Sequence, residues 1–191
     1  MRPFLSLTVA ALVLLAGCGN RDTSGPQGDP TAIVHGAAGH TVAAGRAQVA
    51  IAGPGGFHAE GSVNLATRQG RMLVGVPGQS DVAVDPGPPP TTLPEPVRRV
   101  EYTDPSAMLA LLRSATKVDP YGGVQVRSVG TIRYDVTIDH GGTRFYANVY
   151  VDSEGRCRRI EVPEDRHEPR PSDRAPFLAR IITIDFVSFG P

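Results

Sequence analysis

Two thiols and five imidazoles are the side chains in this chain that could do chemistry by type and spacing. Cys18 ends the stretch Leu15-Ala16-Gly17-Cys18, behind an apolar run from Phe4 to Leu15 and the positive start Met1-Arg2. A basic start, an apolar core of about 7–15 residues and a small-residue cut site make a secretory signal. The run is shorter than the about 20 apolar residues that a bilayer span needs. Cys157 sits in Gly155-Arg156-Cys157-Arg158-Arg159, inside an apparent strand and with no His near it in sequence. A thiol needs an activating neighbour to act as a nucleophile, so Cys157 is expected on a strand face with no catalytic part. His35, His40, His58, His140 and His167 are scattered, and the five-residue spacing of His35 and His40 suits one helix face poorly. No metal site is expected from them. Glu164-Asp165-Arg166-His167-Glu168 carries both signs between Pro163 and Pro171, which suits a solvated loop better than an acid–base pair. There is no Gly-x-Ser-x-Gly elbow, His-Glu-x-x-His, Cys-x-x-Cys or phosphate-binding loop. The chain is therefore expected to have no catalytic residues, to need no cofactor and not to be an enzyme.

Leu15-Ala16-Gly17-Cys18 resembles the lipobox of bacterial lipoproteins. The resemblance implies cleavage between Gly17 and Cys18 and a diacylglyceryl group on the Cys18 sulfur, with palmitate-type acylation. It implies a chain tethered by lipid to the cell membrane, on the extracytoplasmic face. Residues 1–17 are then a lipoprotein signal peptide. With Cys18 spent on lipid, Cys157 has no partner and no internal disulfide forms, even at an oxidising address.

Removing residues 1–17 from the 191 leaves 174, a length that suits one domain. The formal net charge is zero, so nothing suggests electrostatic capture of nucleic acid or anionic lipid. Twenty-two glycines and 18 prolines favour turns and loops over long helices. Residues 18–30 hold Gly, Asp, Ser, Gln and Pro and predict a flexible tether. Residues 31–191 are expected to be a single domain, and a monomer.

Asp29-Pro30 can open a helix over Thr31 to Ala44, against the cost of Gly36 and Gly39. From Arg46 the period changes to two. Ala47, Val49 and Ile51, then Phe57, Ala59, Val63 and Leu65 after the turn Gly53-Pro54-Gly55-Gly56, predict a hairpin with one apolar face. A third strand is expected over Arg71 to Val76. Pro77 to Pro96 is expected to be a Pro-rich loop, since its prolines cannot join a sheet interior. Asp104-Pro105 opens the clearest helix, to Ala115, with Met108, Leu111, Leu112 and Ala115 on one face. A short strand over Val124 to Ser128, then alternation through Ile132, Tyr134, Val136 and Ile138, through Phe145 to Val151, through Ile160 and Val162, and through Ile182, Ile184 and Phe186, complete the pattern. No period of 20–50 residues repeats.

Asp104-Pro105 with Met108-Leu109 and Leu111-Leu112-Arg113, the run Val126 to Tyr134, Tyr150-Val151-Asp152, Gly155-Arg156, Arg158-Arg159, and the closing Asp185-Phe186 and Phe189-Gly190 together resemble LolA-like lipoproteins, the group of the LprG and LppX lipid carriers. The resemblance covers about Ala43 to Gly190. It implies an α+β fold: a curved antiparallel sheet, or half-open barrel, of about seven strands with one or two helices packed on one face. It also implies further strands between the third strand and the Asp-Pro helix, where this chain has its prolines, so a smaller sheet is expected. Many such proteins hold acyl chains between sheet and helices. The residues expected to line an apolar ligand cavity here are Met108, Leu111, Leu112, Ile132, Tyr134, Val136, Val149 and Ile184. Two functions stay open. One is a carrier or binder of a lipid or other apolar small molecule. The other is a ligand-free scaffold, or an interaction or sensor module of the cell envelope. A binder needs concave apolar volume of about 300–1,000 Å³, and a scaffold fills that volume with its own side chains.

Overall fold

The computed structural model describes residues 25–86, 104–163 and 181–190. Its frame is one nine-stranded antiparallel sheet: β1 (Arg46–Ala52), β2 (His58–Asn64), β3 (Gln69–Gly75), β4 (Val82–Val84), β5 (Ala115–Val126), β6 (Val129–His140), β7 (Thr143–Asp152), β8 (Cys157–Pro163) and β9 (Ile181–Gly190). The order across the sheet is β4-β3-β2-β1-β9-β8-β7-β6-β5. Two meanders are thus joined where β1 pairs with β9.

Nine strands exceed the expected seven or so, and β4 is the one with no expected counterpart. Val82-Ala83-Val84 forms an edge strand on β3, inside the stretch expected to be a Pro-rich loop, and it stops just before Pro86. An edge tolerates a neighbouring proline because one side of it has no ladder to break. The remainder of that loop from residue 87, and the charged loop of residues 164–180, lie outside the described residues, as do the signal peptide and Cys18. Strand β5 was expected but is longer than expected, starting at Ala115 where a short strand from Val124 was expected. Pro120 and the bulges around Thr116 and Tyr121 hide its alternation, yet Ala115 to Val126 pairs along most of β6. Pro120 and the bulges also blunt this outer edge.

The helix over Asp104–Ala115 is shorter than its apolar spacing suggested. Helix α2 is Pro105–Leu111, continued by a 3₁₀ turn over Leu112–Ser114. Asp104 caps it as expected, its Oδ1 accepting from the backbone N–H of Ser106 at 2.9 Å and of Ala107 at 3.1 Å. The longer helix is α1, Pro30–Ala43, capped by Asp29, whose Oδ2 accepts from Ala32 N at 2.8 Å. Val34, Ala37, Ala38 and Thr41 form its buried stripe, spaced i, i+3, i+4 and i+7. The two glycines fall off that stripe, so packing outweighs their propensity cost. Helix α1 lies against β5, β7 and β8 and touches α2.

Two polar bonds fix α1 on the sheet. His35 Nε2 donates to the Ala115 carbonyl at 3.0 Å. Thr41 Oγ1 donates to Ala37 O at 2.6 Å and accepts from Cys157 N at 2.7 Å. That second bond uses a β-bulge. The β7–β8 register shifts between Tyr150 and Val151, which leaves Arg158 as the extra residue and keeps Cys157 on the inner face with Ile160. Cys157 is fully buried, and burial pushes its thiol up, away from the reactive thiolate.

Candidate functional site

The sheet's inner face is carried by a single row of residues that crosses all nine strands. From β5 to β4 the paired positions are Pro120, Tyr134, Val149, Ile160, Ile184, Ile51, Ala59, Val74 and Val82. Seven of the nine are buried. The row exists because period-two alternation on each strand is kept in register by the antiparallel pairing. Rows on either side add Val136, Ala147, Val49 and Phe186.

The eight residues expected around a ligand fall into one apolar cluster. Met108, Leu112, Tyr134, Val136, Val149 and Ile184 are buried, and Leu111 and Ile132 are partly buried against them. Helix α2 and its 3₁₀ turn supply three of these from above the sheet, and β6, β7 and β9 supply the other five. Leu65 is tied to the same layer, because its carbonyl accepts from Ser106 Oγ at 3.1 Å. Tyr134 is 3% exposed, and burial raises its phenol above the usual value. At neutral pH every side chain of the cluster is therefore uncharged, which suits contact with hydrocarbon.

The residue reading missed several members of this layer. Leu109, Ile160 and Met72 are all buried to within 1%. So are Val34, Ala37 and Ala38 of α1, which form a second part of the cover. The Leu109 and Ile160 signals were present as stripe and alternation. The α1 signal was hidden by Gly36 and Gly39.

The outer face of β5 to β9 is different in kind. Arg159 grips Asp185 through Nε to Oδ1 at 2.6 Å and Nη2 to Oδ2 at 3.1 Å, and Arg127 Nε donates to the same Oδ2 at 2.7 Å. Glu161 Oε2 accepts from Tyr150 OH at 2.8 Å and Asn148 Nδ2 at 3.2 Å. Burial and the adjacent Glu161 carboxylate both push the Tyr150 phenol up. Arg133 donates to Asn148 at 3.2 Å and to Asp135 at 2.8 Å, and lies 4.2 Å from the centre of the Tyr121 ring. A hollow of about 130 Å³ opens there, among Lys117, Asp119, Arg133, Asp135, Tyr146 and Asn148. It is polar and well below the about 300 Å³ at which small-molecule sites begin. Its carboxylates and cations are paired with one another, so it offers no poised acid or base. Among the described residues, no group of three or more His, Cys, Asp and Glu could hold a metal ion. His35, His40, His58 and His140 lie apart on α1, β2 and the end of β6. His167 is outside the described residues.

No family model and no curated protein matches the sequence. Solved structures do. LprF from Mycobacterium bovis superposes with a TM-score of 0.53 at 12% identity, over 87% of this chain and 95% of that one. Mycobacterium tuberculosis lipoprotein LppX gives a TM-score of 0.49 at 14% identity, over 83% of this chain and 94% of that one. At such identity the likeness to LprF is one of fold: an open, curved antiparallel sheet with two covering helices, the LolA-like fold.

Proposed function

We propose that the chain is a lipoprotein held at the extracytoplasmic face of the cell membrane through Cys18, and that it binds or carries an apolar, lipid-like ligand between the sheet and its helices. The observation that carries this reading is the convergence of α2 and the inner rows of β6, β7 and β9 on one uncharged apolar layer. Nothing polar interrupts that convergence among the eight side chains except the Tyr134 hydroxyl. The partly buried Leu111 and Ile132 mark its accessible margin. Met108 adds an unbranched thioether that adapts to a ligand's shape. If the layer opens, a dry apolar space between these side chains takes an acyl chain in preference to water.

A second reading has its own observation. Leu112, Val149 and Ile184 are all 0% exposed, as expected of side chains that fill the layer themselves in a ligand-free scaffold.

One substitution separates the two. If a ligand occupies the layer, Leu112→Trp fills its space, removes bound lipid from the purified protein and costs little stability. In a closed core the same change overpacks, at about 1–3 kcal/mol or more. Native mass spectrometry of protein extracted in mild detergent reads the lipid, and urea unfolding reads the stability. A lipid-free wild type with a strongly destabilised Leu112→Trp variant overturns the carrier reading. The anchor has a separate test. Cys18→Ser should release the protein from the membrane fraction or leave the unprocessed precursor, since two acyl chains hold at about 0.8 kcal/mol per buried CH₂. Mature-length Cys18→Ser protein still on membranes overturns it.

A further inference from the structure

The described chain begins at Gly25. Gly25 lies directly on β6: a Cβ built there would stand within 2.1 Å of Ile132 Cγ1 and 3.1 Å of Ile132 Cβ. Only glycine allows so close an approach. The middle of the segment expected to be a tether is thus seated on the sheet at Ile132.

Seven residues separate Cys18 from Gly25, and seven residues reach at most about 25 Å when fully extended. Strand direction alternates through the sheet, so its turns fall on two opposite rims. One rim holds the β5–β6 turn Arg127-Ser128 and the β7–β8 turn Ser153 to Gly155. The other holds the β6–β7 turn Gly141-Gly142. Ile132 is three residues from the start of β6 and eight from its end. At about 3.3 Å per residue, those distances are about 10 Å and about 26 Å. With the Gly141 rim against a bilayer, a lipid on Cys18 would consume the whole contour of the tether. With the Arg127 rim or the β5 edge against it, more than half of that length is slack.

On the opposite, outer face of the same hairpin is the most exposed large apolar side chain among the described residues. Tyr121, the bulged residue of β5, is 64% exposed, with the Arg133 guanidinium stacked on its ring. It is two positions from Gly123, the partner of Ile132. A tyrosine beside a cation suits the headgroup layer, where the ring is half dehydrated and the charge stays wet. The other exposed large apolar side chains, Leu73 and Val82, each 46% exposed, point to opposite faces of β3 and β4 at the far edge of the sheet.

Taking Cys18 as the point of membrane attachment, as proposed above, we infer that the β5–β6 hairpin faces the bilayer and that Tyr121 docks into its headgroup layer. The domain is then held on its side, along the β5 edge, and the Gly141 rim is not the part against the bilayer.

The chain has no tryptophan, so single tryptophans report position without background. The experiment uses the chain from Cys18 onward, coupled through the Cys18 thiol to a maleimide lipid in phosphatidylcholine vesicles carrying brominated acyl chains. Chemical coupling supplies the attachment, so the result does not depend on whether cells acylate Cys18; the mass of the protein from its own membranes decides that separately. The Tyr121→Trp variant should be quenched about twofold or more by the bromolipid, as expected for an interfacial ring, and His140→Trp and Leu73→Trp should be quenched little. Gly25→Val, which unseats the tether from Ile132, should shrink the contrast when combined with Tyr121→Trp. Equal or stronger quenching of His140→Trp or Leu73→Trp, or no quenching of Tyr121→Trp, overturns the inference. So does a contrast that Gly25→Val leaves intact.

Discussion

The two faces of β8 show what holds each side of this protein. Ile160 and Glu161 are neighbours in the chain and point to opposite sides of one sheet. Ile160 is fully buried in the row that crosses all nine strands. Glu161 accepts from Tyr150 and Asn148 and meets Arg159 on the outer face. The inner face depends on area removed from water, at about 1.5–3 kcal/mol for a fully buried aliphatic side chain. The outer face depends on directed bonds between partly wet groups, where an ion pair adds about 0–1 kcal/mol. A ligand exchanged with the inner layer would therefore meet forces that ask only for apolar volume, and the outer network would hold the strands in register meanwhile.

The largest effect should separate those two neighbours. Ile160→Ala should lower unfolding free energy by about 2–5 kcal/mol, through lost transfer and the cavity left behind. Glu161→Ala should cost about 1 kcal/mol, the net value of a typical hydrogen bond. Urea unfolding of both variants checks this. Equal losses would mean that the outer network carries as much of the fold as the inner row.

Asp152 is the outer-face residue expected to break that ordering. Its side chain is 3% exposed. Oδ1 accepts from Glu154 N at 3.0 Å and Arg156 N at 2.9 Å, and Oδ2 from Arg156 Nε at 3.2 Å and Arg158 Nε at 2.6 Å. The two guanidiniums in turn flank the Phe189 ring, at 4.9 Å and 4.7 Å. Removing one partner of a buried pair strands the other, so Asp152→Ala should cost about 3 kcal/mol. It does this at a turn, where Gly155 takes φ 74° and the chain reverses between β7 and β8. A loss under about 1 kcal/mol would place Asp152 with the ordinary surface pairs.

How much of this could be read from the sequence follows the same division. Alternation through Ile132 to Ile138 and through Phe145 to Val151 showed which residues face inward, because each inward position is aliphatic or aromatic. The Asp104 and Asp29 caps were legible from Asp-Pro alone. Strand β5 was not, because Pro120, Gly122 and Gly123 interrupt its period while the β6 backbone still pairs with it. Strand β4 was lost inside a proline-rich stretch, although it falls in the gap between Pro77 and Pro86. The eight residues named for a cavity share one apolar cluster because apolar periodicity marks them. The outer network was missed: Arg127, Arg159 and Asp185 lie 26 to 58 residues apart, and only the strand order β9-β8-β7-β6 brings them together. Charge carries no period that would announce such pairings.

A smaller effect comes from pH. Burial alone pushes the Asp152 carboxyl up, but the Arg156 backbone N–H and the Arg158 and Arg156 guanidiniums outweigh it and hold the group below the usual carboxylate range. A depressed folded pKa adds stability that is complete above the unfolded value, near 3.9, and that is lost as pH falls through the lower folded value. The urea midpoint should therefore drop as pH is lowered from about 4. Asp152→Asn should flatten that part of the profile and leave its shape near pH 7 unchanged. A wild-type slope that survives in Asp152→Asn would assign the acid sensitivity to another carboxylate.

The smallest effect should come from the pair that looks most like a salt bridge. Arg144 Nε and Nη2 reach the two oxygens of Asp139, at 2.9 Å and 3.3 Å. Hydrogen bonding to Arg144 holds the Asp139 carboxyl below its ordinary value, and Asp139 raises the Arg144 guanidinium in return. Both side chains are nonetheless open to solvent, at 64% and 38% exposure. Water competes for every donor, salt screens the attraction, and two long side chains lose freedom to hold one geometry. Arg144→Ala should therefore leave the thermal midpoint unchanged within error, in low salt and in high. Its contrast with Asp152→Ala sets one exposed ion pair against a buried carboxylate with four donors. A clear loss in Arg144→Ala that disappears in high salt would show that the outer face is held by charge even where it is wet. The difference between the two faces of the sheet would then be one of degree.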